Sequence, residues 1–281
     1  MTKIFSIVNL LRPYNVVSPI LAFMIGYFFI ATSDITQDFN LGLLVIIITH
    51  SLATVQNDLA DLRFDRINPV NRPLAEGKIS IAETKNIFYL CLCVSLIIGG
   101  LGWPTHMIAV LIMLFIAWAY NLKSKRLSHK PILSIATMAM AYFPIPALYG
   151  YYLFNHTISL NFLAVCIAYF ILRFSISMLK DLKDEKADLK AGRNTFLIKY
   201  GANRTIWLSF VLSSISFVLI LYLIAPRNYW VLGSLVLLAL YSIFERLRLM
   251  NNANTRFLFN KIFFGQNRFD LILLAWLILA K

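Results

Sequence analysis

The sequence predicts an all-α membrane protein, a polytopic bundle of about nine transmembrane helices with its N-terminus on the cytoplasmic side. Three observations carry this expectation. Hydrophobic residues make up 59% of the 281 positions and charged residues only 14%, well outside the balance of a soluble globular chain. The apolar residues come in long runs, each close to the roughly 20 residues that a helix needs to cross about 30 Å of hydrocarbon. Lys and Arg, finally, fall in alternate loops between those runs.

Taken in order, the first run lies near residues 15–32. Lys3 and Arg12 precede it and no small-residue cleavage site follows, so it is expected to stay as a helix rather than be removed as a leader. Further runs lie near 41–57, 86–103, 105–121, 132–154, 158–180, 203–225 and 229–247, and a ninth ends at Leu279. In the ninth, Gln266, Asn267, Arg268 and Asp270 leave only a short clean stretch after them. No composition shift divides the chain, which is expected to form a single domain over residues 1–281. Cys91, Cys93 and Cys166 sit in apolar runs without the flanks of a zinc or redox motif, so neither a disulfide nor a sulfur-bound metal is expected.

The net charge of +13 does not point to nucleic acid, because of where it lies. Of the 26 Lys and Arg, all but Arg173, Arg227 and Lys281 fall on the N-terminal side of the predicted membrane, in the loops containing Arg63 to Lys85, Lys123 to Lys130, Lys180 to Arg204 and Arg246 to Arg268, and ahead of the first run. The positive-inside bias therefore puts the N-terminus and the long loops in the cytoplasm. Most of these cations are expected to set topology and meet the anionic headgroups of membrane lipids.

The acidic residues follow a different logic. Of 13 carboxylates, Asp58, Asp61, Asp65, Glu76 and Glu83 share one cytoplasmic segment, and Asp181, Asp184, Glu185 and Asp188 share another. The first segment continues the second run without Gly or Pro, so its helix is expected to run on beyond the membrane. At about 100° per residue, Asn57, Asp61 and Asp65 then lie within about 80° of one another, with Asp58 at the edge. The second segment is expected to extend the sixth span in the same way, with Asp181, Asp184 and Asp188 within about 60°. Like charges at these spacings repel, and a hard divalent cation relieves the repulsion. Magnesium takes one or two carboxylates while water and phosphate fill its other positions. Two facing carboxylate helices would suit magnesium diphosphate; the plainer alternative is a pair of exposed helix ends laced by Arg63, Arg66, Lys183 and Lys186.

These residues resemble the two aspartate-rich motifs of the UbiA superfamily of intramembrane prenyltransferases. Asn57, Asp58, Asp61 and Asp65 match N-D-x-x-D-x-x-x-D, and the usual continuation follows from Asn68 through Arg72 to Ser80. Asp181, Asp184 and Asp188 match D-x-x-D-x-x-x-D, followed by Gly192, Thr195, Tyr200 and Gly201. Arg12-Pro13-Tyr14-Asn15 resembles the family's approach to its first helix. One departure is visible. Many members carry Y-x-x-x-K after the fourth span, whereas Tyr120 here is followed by Lys123, Lys125 and Arg126.

The resemblance implies transfer of an isoprenyl group from an allylic polyprenyl diphosphate to an aromatic or lipid-like acceptor, with Mg2+ assisting departure of diphosphate. It implies Asn57, Asp61, Asp65, Asp181, Asp184 and Asp188 as metal ligands, with Asp58 in a supporting place, and Lys123, Lys125, Arg126, Arg72 and Lys180 as candidate phosphate contacts. The aromatic faces of Tyr120, Tyr142, Phe143 and Phe174 are candidates to stabilise an allylic cation, or simply to fill the core.

Two polar residues, Arg173 and His50, lie within or beside the expected spans. Arg173 lies eight residues before Asp181, about 12 Å deeper on the expected helix, and shares its face. It is a candidate for an anionic group of the acceptor, or for the diphosphate from below; the alternatives are a structural ion pair or a side chain reaching for the interface. His50, seven residues before Asn57, is a candidate acceptor contact or a packing histidine. Competing readings of the whole are a membrane terpene cyclase on the same scaffold and a cation or metabolite transporter. The transporter reading fits less well, because such sites usually lie at the midplane on broken helices.

Overall fold

The computed structural model describes residues 3–30, 35–66, 72–121, 127, 130–183, 185–190, 195–226, 228–250 and 255–279. Regular structure among them is helical throughout, as expected. Eight helical stretches are long and apolar enough to cross a membrane, and the shorter apolar helix Thr105–Asn121 accompanies them. The chain divides into two compact units, one of residues 1–20 and 35–128, the other of residues 21–34 and 129–281.

The first unit opens on α1 (Lys3–Leu11), a helix ahead of the first span that the apolar runs did not announce. It buries Leu10 and leaves Ile4, Phe5 and Val8 exposed. Arg12, at φ 48°, turns the chain into α2 (Pro13–Ile30), where the proline ring preorganises the first turn. Then comes α3 (Gln37–Asp65), capped by Thr36, whose hydroxyl accepts from the Phe39 N–H at 3.2 Å. No Pro interrupts it and no Gly follows Gly42, so it keeps its helical hydrogen bonds for 29 residues. At 1.5 Å per residue that is about 43 Å, longer than the roughly 30 Å of hydrocarbon, and the acidic turns at its end have room beyond the apolar layer. Its buried face, including Val45, Ile46, Thr49, Leu52 and Val55, packs on α4 (Ile81–Leu101) and α5 (Thr105–Asn121). The link between α3 and α4 folds back through Gly77, at φ 72°, and its Leu74 and Ile79 join Leu10 and Val55 in one apolar cluster.

In the second unit, α8 (Leu160–Met178) is buried along much of its length and packs on α6 (Pro131–Tyr142), α7 (Pro144–Phe154) and α11 (Ala202–Ile224). The short α9 (Glu185–Lys190) and α10 (Phe196–Tyr200) precede α11, and α12 (Tyr229–Leu249) and α13 (Thr255–Leu279) pair with each other at the end.

Three expectations are corrected here. The run 132–154 is two helices, because Pro144 offers no N–H and pushes Phe143 out of helical geometry, to φ −142° and ψ −66°. The second acidic segment does not prolong α8 as an α-helix. After Met178 the chain tightens into a 3-10 turn over Lys180–Lys183 and restarts as α9. The tighter winding eclipses residues three apart, which lets Leu179 and Leu182 both insert among Leu197, Ile206, Leu258 and Ile262. The helical angles that would align Arg173 with Asp181 and Asp188 therefore do not carry past Met178. The ninth helix, whose start the sequence leaves open, is α13 from Thr255, and it buries Gln266, Asn267 and Asp270 completely or nearly so while Arg268 stays exposed. Arg246, expected among the loop cations, is fully buried on α12; its guanidinium donates to the Ser242 carbonyl and hydroxyl and to the hydroxyls of Ser209 on α11 and Ser175 on α8. That set of bonds joins three helices.

Residues 21–30 of α2 cross α7 at backbone distance. A Cβ on Gly26 would stand 1.9 Å from the Ala147 carbonyl oxygen, and one on Gly150 would stand 2.1 Å from that of Phe23. Small residues at such a crossing give two apolar helices the close contact that lipid offers no other reason to form. Gly26→Ala or Gly150→Ala is therefore expected to lower stability by about 1–3 kcal/mol, as for an overpacked core, seen as a lower thermal midpoint in detergent. Gly233→Ala on α12, where a Cβ meets nothing within 4 Å, is the control and is expected to leave the midpoint unchanged or slightly higher.

Candidate active site

The acidic end of α3 is organised by two arginines. Asp58 is 1% exposed, and its Oδ1 accepts from Arg12 and, at 3.3 Å, from Arg72. Arg72 also donates to Asp65 Oδ2, so one guanidinium spans two carboxylates a helical interval apart. Arg12 comes from the turn before α2 and Arg72 from the link after α3, and the charge cluster closes that end of the unit. Burial acts to lower the Arg12 pKa, but the attraction of Asp58, with smaller contributions from Tyr14 and Asp65, outweighs it and the net shift is upward.

Two oxygens in this cluster are left over. Asp58 Oδ2 and Asp65 Oδ1 are buried and have no hydrogen-bond partner among the described residues. A buried carboxylate oxygen without a donor is costly, and a hard cation or a water satisfies it. Asn57 and Asp61 flank these residues on α3, both half-buried; His50, farther back on α3, and Tyr120, in the last turn of α5, are half-buried as well. Among the described residues no three acidic, His or Cys side chains converge to hold a metal ion. The donor set nevertheless fits magnesium in kind, being made of carboxylate and amide oxygens with one buried oxygen of Asp65 available.

In the second unit, Asp181 is half-buried in the 3-10 turn and Asp188 is 2% exposed in the first turn of α9. Lys180 is anchored to α6, its Nζ donating to Ser134 Oγ at 3.1 Å and lying 2.9 Å from Met138 Sδ. The tail of the second motif has a clear local role. Thr195 caps α10 by accepting from the Ile198 N–H, and Gly201 takes φ 83° to turn the chain into α11. Phe143 stacks on Tyr169 with ring centroids 3.6 Å apart, both buried, which is a packing role. Lys123, Lys125, Arg126 and Asp184 lie outside the described residues.

Arg173 meets an anion that the chain itself supplies. Its Nη2 donates to Asp270 Oδ2 on α13 at 2.5 Å, with both side chains almost completely buried. Asp270 Oδ1 accepts from Gln266 Nε2 at 2.9 Å and from the Tyr169 hydroxyl at 3.2 Å. In the sequence Asp270 falls among the polar residues of the ninth span, and nothing local connects it with Arg173. The available signal was that each is an ionised residue inside an apolar helix, and such residues usually pair with one another.

With the geometry in place, the likeness to known proteins is extensive. Residues 17–267 match the UbiA prenyltransferase family. Digeranylgeranylglyceryl phosphate synthase of Sulfolobus acidocaldarius is 30% identical over 199 residues, 70% of each chain. A UbiA homolog from Archaeoglobus fulgidus, solved bound to GPP and Mg2+, superposes with a TM-score of 0.72 over 97% of this chain and 99% of that one, at 20% identity. The apo UbiA homolog from Aeropyrum pernix K1 gives 0.76 over 96% and 98%, at 16% identity. The chain belongs to the UbiA prenyltransferase family, and it is an integral-membrane prenyltransferase rather than a carrier.

Removing the hub carboxylate tests the charge cluster. Asp58→Ala strands the Arg12 guanidinium and removes one of two partners of Arg72, and breaking a buried pair costs about 3–5 kcal/mol. The expected result is a markedly lower thermal midpoint in detergent, with Asp58→Asn, which keeps an oxygen acceptor, falling between that variant and the parent.

Proposed function

We propose that this enzyme transfers a prenyl group from an allylic prenyl diphosphate to the hydroxyl of a lipid-like acceptor, with a singly prenylated glycerol phosphate as the acceptor class, and that Mg2+ assists. The observation that carries the reading is the end of α3, where an unbroken helix delivers Asn57, Asp61 and Asp65 beyond its apolar stretch and leaves Asp65 Oδ1 buried without a partner. The acceptor class is favoured by the name of the Sulfolobus relative, whose product carries two prenyl chains on glycerol phosphate. The metal and the donor class are favoured by the Archaeoglobus homolog, solved with GPP and Mg2+.

In this reading Asn57, Asp61 and Asp65 are ligands for magnesium in the first unit, and Asp181, Asp184 and Asp188 are ligands in the second. When bound, the metal neutralises diphosphate and eases its departure as a Lewis acid. Arg72, Lys123, Lys125, Arg126 and Lys180 offer N–H donors to phosphate oxygens, Arg72 with the planar fork suited to bidentate contact. Asp58 holds Arg12 and Arg72 in place. In the transfer itself, the allylic carbon–oxygen bond to diphosphate breaks, the acceptor hydroxyl oxygen bonds to that carbon, and the hydroxyl proton is released. The apolar helices around the prenyl chain keep out water, which would otherwise capture the allylic cation. Arg173, His50 and Tyr120 belong to the acceptor side of the reaction. The N-terminus and the basic loops face the cytoplasm, and the diphosphate reaches the enzyme from that side; the one-sided distribution of Lys and Arg supports this.

The reading is tested by incubating the purified protein with prenyl diphosphates of several chain lengths and a panel of glycerol-phosphate and aromatic acceptors, and weighing the products. A prenyl ether of a glycerol phosphate is expected. Asp61→Ala and Asp184→Ala should each lower magnesium-dependent diphosphate release by on the order of 10²-fold or more, the scale seen when a group stabilising developing charge is lost. Full activity in either variant would remove the assignment.

A further inference from the structure

Helix α1 carries apolar residues on two opposite sides, and the protein covers one of them. Leu10 is buried with Val55 of α3 and with Leu74 and Ile79 of the following link, and Ile7 and Leu11 pack against the same cluster. At about 100° per residue, Ile4, Phe5 and Val8 share an arc of about 100° on the side away from Leu10. They are 75%, 49% and 44% exposed. A helix of 9 residues reaches about 13 Å, less than half of the roughly 30 Å of hydrocarbon, so α1 is no span.

Its neighbours fix where it lies. At one end Lys3 pairs with Glu83 in the first turn of α4. At the other the Leu11 carbonyl accepts from the Thr54 hydroxyl at 3.4 Å, three residues before the acidic end of α3 begins at Asn57. Arg12 alone then separates α1 from α2. Since α2, α3 and α4 are each long and apolar enough to cross a membrane, α1 lies where three spans meet the membrane surface. The adjoining turns of those spans are also apolar and exposed, at Tyr14 and Val17 on α2 and at Ile81 on α4.

What covers Ile4, Phe5 and Val8 follows from that place. In water the three would keep their apolar area hydrated, against the hydrophobic effect. At the boundary of headgroups and acyl chains, a short helix lying on the membrane buries such a side in lipid. Lipid already reaches the adjoining turns of α2 and α4, so it reaches this side without any further partner. We infer that α1 is an interfacial helix, seated with Ile4, Phe5 and Val8 among the acyl chains just below the headgroups of one leaflet. The partner is the phospholipid surface itself, and the seat is independent of which acceptor the enzyme uses.

The test places a bimane fluorophore at position 5 of the full-length protein, as Phe5→Cys with Cys91→Ala and Cys93→Ala, so that buried Cys166 is the one other thiol. The protein is reconstituted in phosphatidylcholine nanodiscs, which leave both membrane faces open to aqueous iodide. Quenching is read with iodide, with a lipid bearing a nitroxide near the top of its acyl chain, and with one bearing it near the end. Glu76→Cys, exposed in the link after α3, and Leu90→Cys, exposed midway along α4, serve as the water and deep-lipid references in the same background. The label at position 5 is expected to lose more fluorescence to the shallow nitroxide than to the deep one, the reverse of position 90, and less to iodide than position 76. Val8→Cys carries the same expectation if the Phe5 variant fails to fold. A label at position 5 that iodide quenches as fully as at position 76 puts α1 in water, and one that neither nitroxide nor iodide reaches puts it under protein, as in a dimer. Either result would overturn the interfacial seat.

Discussion

A charge inside an apolar bundle has to be answered by another group of the same chain, because neither lipid nor bulk water will answer it. Each helix that carries such a charge is thereby tied to a particular neighbour. Asp58 ties the end of α3 to Arg12 before α2 and to Arg72 in the following link. Asp270 ties α13 to Arg173 of α8. Arg246 has no carboxylate beside it among the described residues and is held instead by hydroxyls and a carbonyl from three helices. Apolar packing supplies most of the cohesion but is indifferent to which helix faces which. The buried polar groups remove that freedom, since exchanging partners would strand them at a cost of several kcal/mol each.

The same constraint explains why the acidic segments differ in build. The first is part of one long helix, and its carboxylates keep the angular spacing that helical geometry imposes. Arg72 then bridges two of them, which keeps like charges close at tolerable cost. The second is broken into a 3-10 turn and a short helix, and Leu179 and Leu182 there join the apolar cluster with Leu258 and Ile262. Its acidic residues are positioned by that docking rather than by periodicity.

For the chemistry, the outcome is a membrane enzyme with acidic and basic residues gathered at the end of α3, and with Arg173, Asp270 and Arg246 buried inside the helices and held by partners from the same chain. Prenyl transfer has two requirements. Diphosphate needs cations and hard oxygen ligands, while the allylic fragment needs shelter from water. The crossing of α2 and α7 at Gly26 and Gly150 shows how closely the apolar part is assembled.

Much of this was legible in the residues alone. Hydrophobic runs placed the spans, since the need to satisfy backbone hydrogen bonds in lipid leaves a long apolar segment little choice but a helix. The spacing of Asn57, Asp61 and Asp65 put them on one helical face, and the motifs pointed to the UbiA family. What the residues could not reveal was which distant groups meet. The pairing of Arg173 with Asp270, 97 positions apart, the burial of Arg246, the Gly26 and Gly150 crossing and the 3-10 turn after Met178 all depend on packing between helices far apart in sequence. Local periodicity determines how a helix is decorated; only the tertiary structure decides which decoration faces which, because that choice is made by the joint burial of side chains from several helices at once.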